Sequence, residues 1–291
     1  MSSTHEKGSG TLTIGGDLAV HRLGYGAMRL TGKGIWGEPK DPEEARKVLR
    51  RAVELGVNFI DTADSYGPEV SERLIAEALY PYPKHLVLAT KGGLTRSGPD
   101  KWHPVGRPEY LTQCVEMSLR RLKLERIDLY QLHRIDPKVP VAESLGALKD
   151  LQQAGKIRHI GLSEVSPAEI EEATKTVPIV SAQNQYNLSD RHNEKTLEYC
   201  EREKLAFIPW FPMAAGRLAR AGGPLDRTAT RHKVTVAQLA IAWLLYHSPA
   251  MLPIPGTSSV KHVEENVAAG QIHLSNEEWK AIEQDAIEAA A

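Results

Sequence analysis

The sequence predicts an α/β chain closed into a (β/α)8 TIM barrel, on three observations. Short apolar runs alternate with longer amphipathic ones along most of the chain, and polar residues stand at the ends of several short runs. No G-x-G-x-x-G follows the first strand-like run, which argues against the rival open, doubly wound sheet. Two parallel neighbours cannot be joined by a tight turn, so the alternation calls for right-handed helical crossovers and a parallel sheet.

Taken in order, "TLTIGGDLAVHRLG" alternates apolar and polar residues around Gly15-Gly16-Asp17 and reads as an N-terminal β-hairpin closing the bottom of the barrel. "RLGYGAM" then leads to a helix from Asp41, "FIDTAD" to "PEVSERLIAEAL", "LVLATKG" to "RPEYLTQCVEMSLRRLKL", and "IDLYQLH" to "VAESLGALKDLQQAG". The series continues through "IRHIGLS" with "SPAEIEEATKT", "IVSAQNQY" with "NEKTLEYCERE", "LAFIPWFP" with "TVAQLAIAWLLYH", and "MLPIPG" with "SVKHVEENVAA". Asp41 and Ser166 each precede a proline with glutamate three residues beyond the cap, the pattern of a capped helix start.

The 291 residues suit one barrel domain spanning 1–291, and 41% hydrophobic content supports a sizeable core. The 36 basic and 37 acidic residues nearly cancel without forming blocks, so nucleic acid is not the expected partner. Cys114 and Cys200 form no C-x-x-C pair, which points to a reducing cytoplasm. The polar start "MSSTHEKGSG" lacks the apolar stretch of a secretory signal, and no run of about 18 apolar residues predicts a membrane span.

Chemistry in such barrels gathers at the C-terminal ends of the strands. Asp61, Asp64 and Tyr66 follow strand two, Lys91 ends strand three, His133 ends strand four, and Ser163 and Glu164 end strand five. Gln183 and Asn184 lie in strand six and Trp210 near the end of strand seven. A buried charge costs several kcal/mol unless paired, and Asp61 beside Lys91 offers a pair. With Tyr66 as proton donor, a neighbouring ammonium favours the phenolate and is expected to lower the phenol's pKa. Asp61 would hold Lys91, and His133 could donate a hydrogen bond to a carbonyl or share its proton. The set suits carbonyl reduction; amino acids supply no hydride, so a nicotinamide cofactor is implied. A metal-dependent hydrolase would want an H-x-H that strand one lacks, and no metal is expected.

"FIDTADSYG", "ATKGG", "YQLH", "GLSEV", "QNQYN" and "IPGTSSVKHVEENV", in this order, resemble the aldo-keto reductase superfamily across essentially the whole chain. The loops and termini are most similar to bacterial pyridoxal-reductase-like members. The resemblance implies a catalytic tetrad of Asp61, Tyr66, Lys91 and His133, and an extended NADP(H) groove. Ser163 and Gln183 would bond the nicotinamide carboxamide while Trp210 stacks on the ring, and Glu164, standing where asparagine is commonest, would be a further cofactor contact. Gly216, Arg217 and Leu218 would follow the pyrophosphate. Gly256, Thr257, Ser258, Ser259, Lys261 and His262 would surround the 2′-phosphate, and Glu265 and Asn266 would reach the adenine.

Loops above the strand ends supply candidate pocket walls in Tyr25, Met28, Trp36 and Trp102, which suit a planar or apolar small-molecule carbonyl substrate. The expected activity is NADPH-dependent reduction of aldehydes or ketones, with pyridoxal one candidate. The alternative is a cofactor-binding regulatory subunit with little turnover.

Overall fold

A computed structural model describes residues 9–214 and 221–290. Strands β1 (Thr11–Ile14) and β2 (Leu18–His21) pair antiparallel in the N-terminal hairpin, with Gly15 and Gly16 at φ +62° and +84°. A side chain at either turn position would be strained, which is why glycine stands there. Asp17 at the tip accepts hydrogen bonds from Arg158 (2.8 Å) and His159 (2.6 Å). Both donors lie where a barrel strand begins, so the hairpin sits beneath the strands' N-terminal ends. Its Ile14, Leu18 and Val20 join Phe59, Val87, Leu129 and Leu252 in one buried cluster, filling the barrel from below.

The barrel strands are β3 (Tyr25–Gly26), β4 (Phe59–Asp61) and β5 (Val87–Gly92). After β5 an antiparallel hairpin intervenes, β6 (Leu94–Gly98) with β7 (Lys101–Pro104). The barrel resumes with β8 (Ile127–Leu132), β9 (Ile157–Ser163), β10 (Ile179–Gln183) and β11 (Ala206–Phe207). Seven strands form one parallel sheet in the order β3-β4-β5-β8-β9-β10-β11.

The eighth stave, "MLPIPG", closes the ring without becoming a regular strand. Leu252 N donates to Phe207 O (2.8 Å) on one side, and Gly24 N donates to Pro253 O (2.9 Å) on the other. Pro253 has no N–H to extend a ladder.

The helices are α1 (Pro42–Glu54), α2 (Val70–Leu79), α3 (Pro108–Leu122), α4 (Val141–Gln153) and α5 (Pro167–Thr174). They continue with α6 (Glu194–Glu203), α7 (Pro224–His232), α8 (Val236–His247), α9 (Val260–Ala268) and α10 (Asn276–Ala290). Asp41 caps α1 by accepting from Glu44 N (3.0 Å), and Ser166 with Glu169 closes a reciprocal capping box on α5. Two features go beyond the alternation. The loop after β5 folds into the β6–β7 hairpin, and α7 stands between "LAFIPWFP" and "TVAQLAIAWLLYH", where the alternation gives no helix. That helix buries Leu225, Thr228 and Ala229, a narrow face that leaves little apolar periodicity to detect.

Candidate active site

Four side chains meet at the C-terminal mouth of the barrel because neighbouring parallel strands end there in register. Asp61 pairs with Ala89 across β4–β5, and Lys91 pairs with Gln131 across β5–β8. The Lys91 ammonium, fully buried, donates to Asp61 Oδ2 (2.6 Å), to the Thr62 carbonyl (2.8 Å) and to the Tyr66 hydroxyl (3.4 Å). The other carboxylate oxygen of Asp61 accepts from Gln131 Nε2 and Gln183 Nε2, both at 2.9 Å. Every donor of the ammonium and both carboxylate oxygens therefore have partners, the condition under which a buried pair is tolerated. The His133 ring stands edge-on to Tyr66 at 5.8 Å, with Nδ1 3.3 Å from Ser65 Oγ.

Electrostatics here differ from the expectation in one respect. Burial pushes the Tyr66 phenol above its ordinary pKa; the Lys91 charge pulls it down but does not overcome burial. The hydroxyl consequently holds its proton firmly at physiological pH. For Lys91, burial alone favours deprotonation, yet the Asp61 carboxylate above all, with the hydrogen bonds to Asp61 and Tyr66, keeps it above the usual lysine range. Burial, then Lys91, pushes His133 well below the usual histidine range, so the imidazole is neutral.

A cavity of about 400 Å³ opens over this cluster, lined by Tyr66, His133, Met28, Trp102, Arg134 and Trp210 among others. Trp102 on β7 is brought in by the hairpin, and its ring is edge-on to Tyr66 at 6.3 Å. Tyr25, expected on the wall, is instead buried in the layer between sheet and helices and donates to Thr257 O (2.5 Å). It ties the first stave to the loop after the eighth. Trp36 lies outside the cavity lining, with the Arg96 guanidinium 5.6 Å from its ring.

Arg96 was not anticipated. It lies 3.4 Å from the Trp102 ring centre and donates to Ile35 O (2.7 Å), Ser65 O (2.8 Å) and Gly34 O (2.9 Å), binding three loops into one wall. Gln131 and Arg134 were missed as well, although both flank the "YQLH" histidine; Gln131 reads as an ordinary inward strand residue until its partner Asp61 is known. Asn184 does not face the site: its amide bridges Val165 and Asn193. Asp64 is buried beside α3 and burial, then Glu72, raises its carboxyl to about 7.

A second cavity of about 250 Å³ shares Met28, Tyr66, Gln183 and Trp210 with the first, and a third of about 510 Å³ adjoins it through Arg29 and Gly256. Together they make a trough from Tyr66 to Thr257 and Ser258. Its floor depends on glycine: a Cβ on Gly26 would stand 2.6 Å from Ile254 O, and one on Gly256 2.5 Å from Gly26 O.

At the inner end, the Ser163 hydroxyl accepts from Arg134 (3.0 Å) and keeps its own proton to donate. Glu164 adopts φ +54° and turns its carboxylate onto Trp210 Nε1 (2.5 Å) and Gln185 N (2.8 Å). Its Oε1 therefore holds the indole. At the outer end Thr257 Oγ1 accepts from Ser259 N (3.2 Å) and faces His262 Nδ1 at 3.5 Å, at the start of α9. Glu44 accepts from Val260 N (3.4 Å) at that same start. Lys261 is exposed, 3.8 Å from Glu265, and the buried Asn266 amide nitrogen has no partner. Gly216, Arg217 and Leu218 lie outside the described residues.

The aldo/keto reductase family model matches residues 22–286. An uncharacterised oxidoreductase of Schizosaccharomyces pombe is 54% identical, covering 95% of this chain and 90% of that protein. Pyridoxine 4-dehydrogenase of Escherichia coli is 42% identical, covering 92% and 96%. Among solved structures, an aldo-keto reductase from Klebsiella pneumoniae in complex with NADPH superposes with a TM-score of 0.79 at 28% identity, covering 94% of both chains.

Proposed function

The chain belongs to the aldo/keto reductase family, and from that premise we propose that it reduces aldehydes or ketones to alcohols with NADPH, Tyr66 delivering the proton to the carbonyl oxygen. One observation carries this reading: the Tyr66 hydroxyl lines a substrate-sized cavity while lying 3.4 Å from a buried ammonium that Asp61 holds in place. We take residues 1–291 as one catalytic domain.

When bound, NADPH supplies the hydride for the carbonyl carbon. The protein's own part is positioning and proton delivery. Tyr66 stays protonated until the substrate oxygen gains charge, and the Lys91 cation then favours the phenolate that transfer leaves behind. If the Ser65 hydroxyl donates to His133 Nδ1, the neutral imidazole carries its hydrogen on Nε2 and offers it to the same carbonyl oxygen. Two hydrogen-bond donors then converge where negative charge develops.

The trough suits a dinucleotide. Its outer end is lined by Thr257 and Ser258 just ahead of α9, where their polar groups can meet a phosphate, and the orphaned Asn266 amide can meet an acceptor. Trp210 would stack on the nicotinamide, with Ser163 and Gln183 on its carboxamide. Glu164→Ala is expected to raise the NADPH KM several-fold, about 3- to 10-fold for one lost charge-assisted hydrogen bond, with a smaller change in kcat. Glu164→Gln keeps an acceptor for the indole N–H and should recover most of the loss; equal effects of the two variants would contradict the positioning role.

Selectivity for the 2′-phosphate rests on Thr257, Ser258, Ser259, Lys261 and His262. Replacing Lys261 and His262 together by alanine should weaken NADPH by about 10-fold or more through lost charge-assisted contacts, while leaving NADH nearly unaffected. Titrations followed by tryptophan fluorescence read both cofactors, and equal losses would contradict the assignment. Pyridoxal fits a cavity of about 400 Å³ with an indole wall, and the similarity to pyridoxine 4-dehydrogenase favours it. Comparing its kcat/KM with that of benzaldehyde tests the preference; a clear advantage for benzaldehyde would remove it.

A further inference from the structure

Most of the cavity above Tyr66 is apolar: Met28, Ile35, Leu94, Trp102 and Pro104 form its sides. The charges beneath it cancel, since Lys91 is paired with Asp61. Arg134 breaks this pattern. It follows His133 immediately, lines the same cavity, and is half-buried. Its Nη1 donates to His133 O (2.6 Å) and Ser163 Oγ (3.0 Å), contacts that anchor one edge of the guanidinium.

No carboxylate among the described residues forms an ion pair with Arg134. The acidic group with the largest influence on it is Glu164, which makes no ion pair with it and whose Oε1 accepts from both Trp210 and the Gln185 amide. A guanidinium carries five N–H donors in a planar fork matched to carboxylate and phosphate oxygens. Holding one half-buried in a largely apolar cavity with no carboxylate in ion-pair contact is costly, and a ligand anion would offset that cost.

We propose that Arg134 binds an oxyanion on the substrate, so that the favoured substrates are aldehydes or ketones carrying a carboxylate or phosphate ester remote from the carbonyl. This rests on the reductase reading of the same site and adds the substrate's charge class. The anchored Nη1 edge keeps the fork from folding away, while the remaining N–H groups are free to meet two oxygens of the anion. The aromatic and aliphatic walls would take the body of the molecule between its two polar ends.

The test uses two matched pairs, benzaldehyde against 3- and 4-carboxybenzaldehyde, and pyridoxal against pyridoxal 5′-phosphate. The first reports a carboxylate and the second a phosphate. Wild type is expected to favour the anionic member of at least one pair in kcat/KM, through KM. Arg134→Gln is expected to reduce that ratio by about 10- to 100-fold, the contribution of a charge-assisted bidentate contact. Arg134→Lys should retain part of the preference.

Wild type that turns over both members of each pair without an anionic preference overturns the proposal while leaving the reductase reading intact. A loss in Arg134→Gln that falls equally on all aldehydes, or appears only in the NADPH KM, also overturns it by placing Arg134 on the cofactor. Should wild type turn over none of the aldehydes, the reductase reading fails separately. Tryptophan-fluorescence titration with terephthalate and isophthalate then decides the proposal: saturable binding lost in Arg134→Gln supports it, and absence of binding overturns it.

Discussion

Tyr66→Phe is expected to lower kcat for aldehyde reduction by about 100-fold or more, since general acid catalysis contributes typically 10²–10⁴. The change removes one hydroxyl and keeps the ring, so the edge contacts with Trp102 and His133 survive and the fold should be untouched. NADPH affinity should hold as well, because the trough is shaped mainly by backbone and by Trp210. The loss therefore belongs in kcat, measured where chemistry limits turnover. Near-wild-type kcat in that regime would mean that the proton comes from another group, such as His133, which lines the same cavity.

Lys91→Met is expected to lower kcat by about 10-fold or more, because the phenolate formed on proton transfer loses its adjacent cation. Its signature is in the pH dependence. Alcohol oxidation with NADP⁺ needs Tyr66 as a base, so its rate rises with pH as the phenol ionises. Burial already holds that pKa above the ordinary value with Lys91 pulling against it. Removing the cation takes away the main opposition to burial, leaving only the weaker pull of Arg134, and the rise should move to higher pH.

Breaking one side of a buried ion pair typically costs about 3–5 kcal/mol of stability. Asp61 keeps two amide donors from Gln131 and Gln183, which softens the penalty, and a thermal melt establishes the folded fraction beforehand. Asp61→Asn should act more mildly on kcat, since Lys91 remains nearby but less firmly held. An unchanged pH profile in folded Lys91→Met would assign this lysine a purely structural role.

The barrel was legible in the sequence because alternation of apolar runs and amphipathic helices is set by the parallel sheet itself, and because Asp41 and Ser166 mark helix starts by local chemistry. The residues at the mouth were legible for a related reason. Titratable groups at strand ends, where turn residues are the norm, stand out against their background.

What escaped was decided by tertiary partners. The phenol's elevated pKa follows from burial at the barrel mouth, which no spacing of Asp61, Tyr66 and Lys91 discloses. Glu164 looked like a poor substitute for an asparagine until the Trp210 indole was found on its carboxylate. Tyr25 sat in a plausible wall motif, yet the strand's alternation turns it toward the helical layer. Arg96 is an unremarkable basic residue in a Gly-rich loop until that loop folds into β6–β7 and brings its guanidinium onto Trp102.

The central claim is that this cavity carries out carbonyl reduction and does not merely hold a nucleotide. The most direct measurement mixes the purified protein with NADPH and a panel of aldehydes that includes pyridoxal, and quantifies both NADPH consumed and alcohol formed. The predicted result is repeated turnover with one alcohol produced for each NADPH oxidised, largely abolished in Tyr66→Phe. Saturable quenching of tryptophan fluorescence by NADPH, with no alcohol formed from any aldehyde, would contradict it.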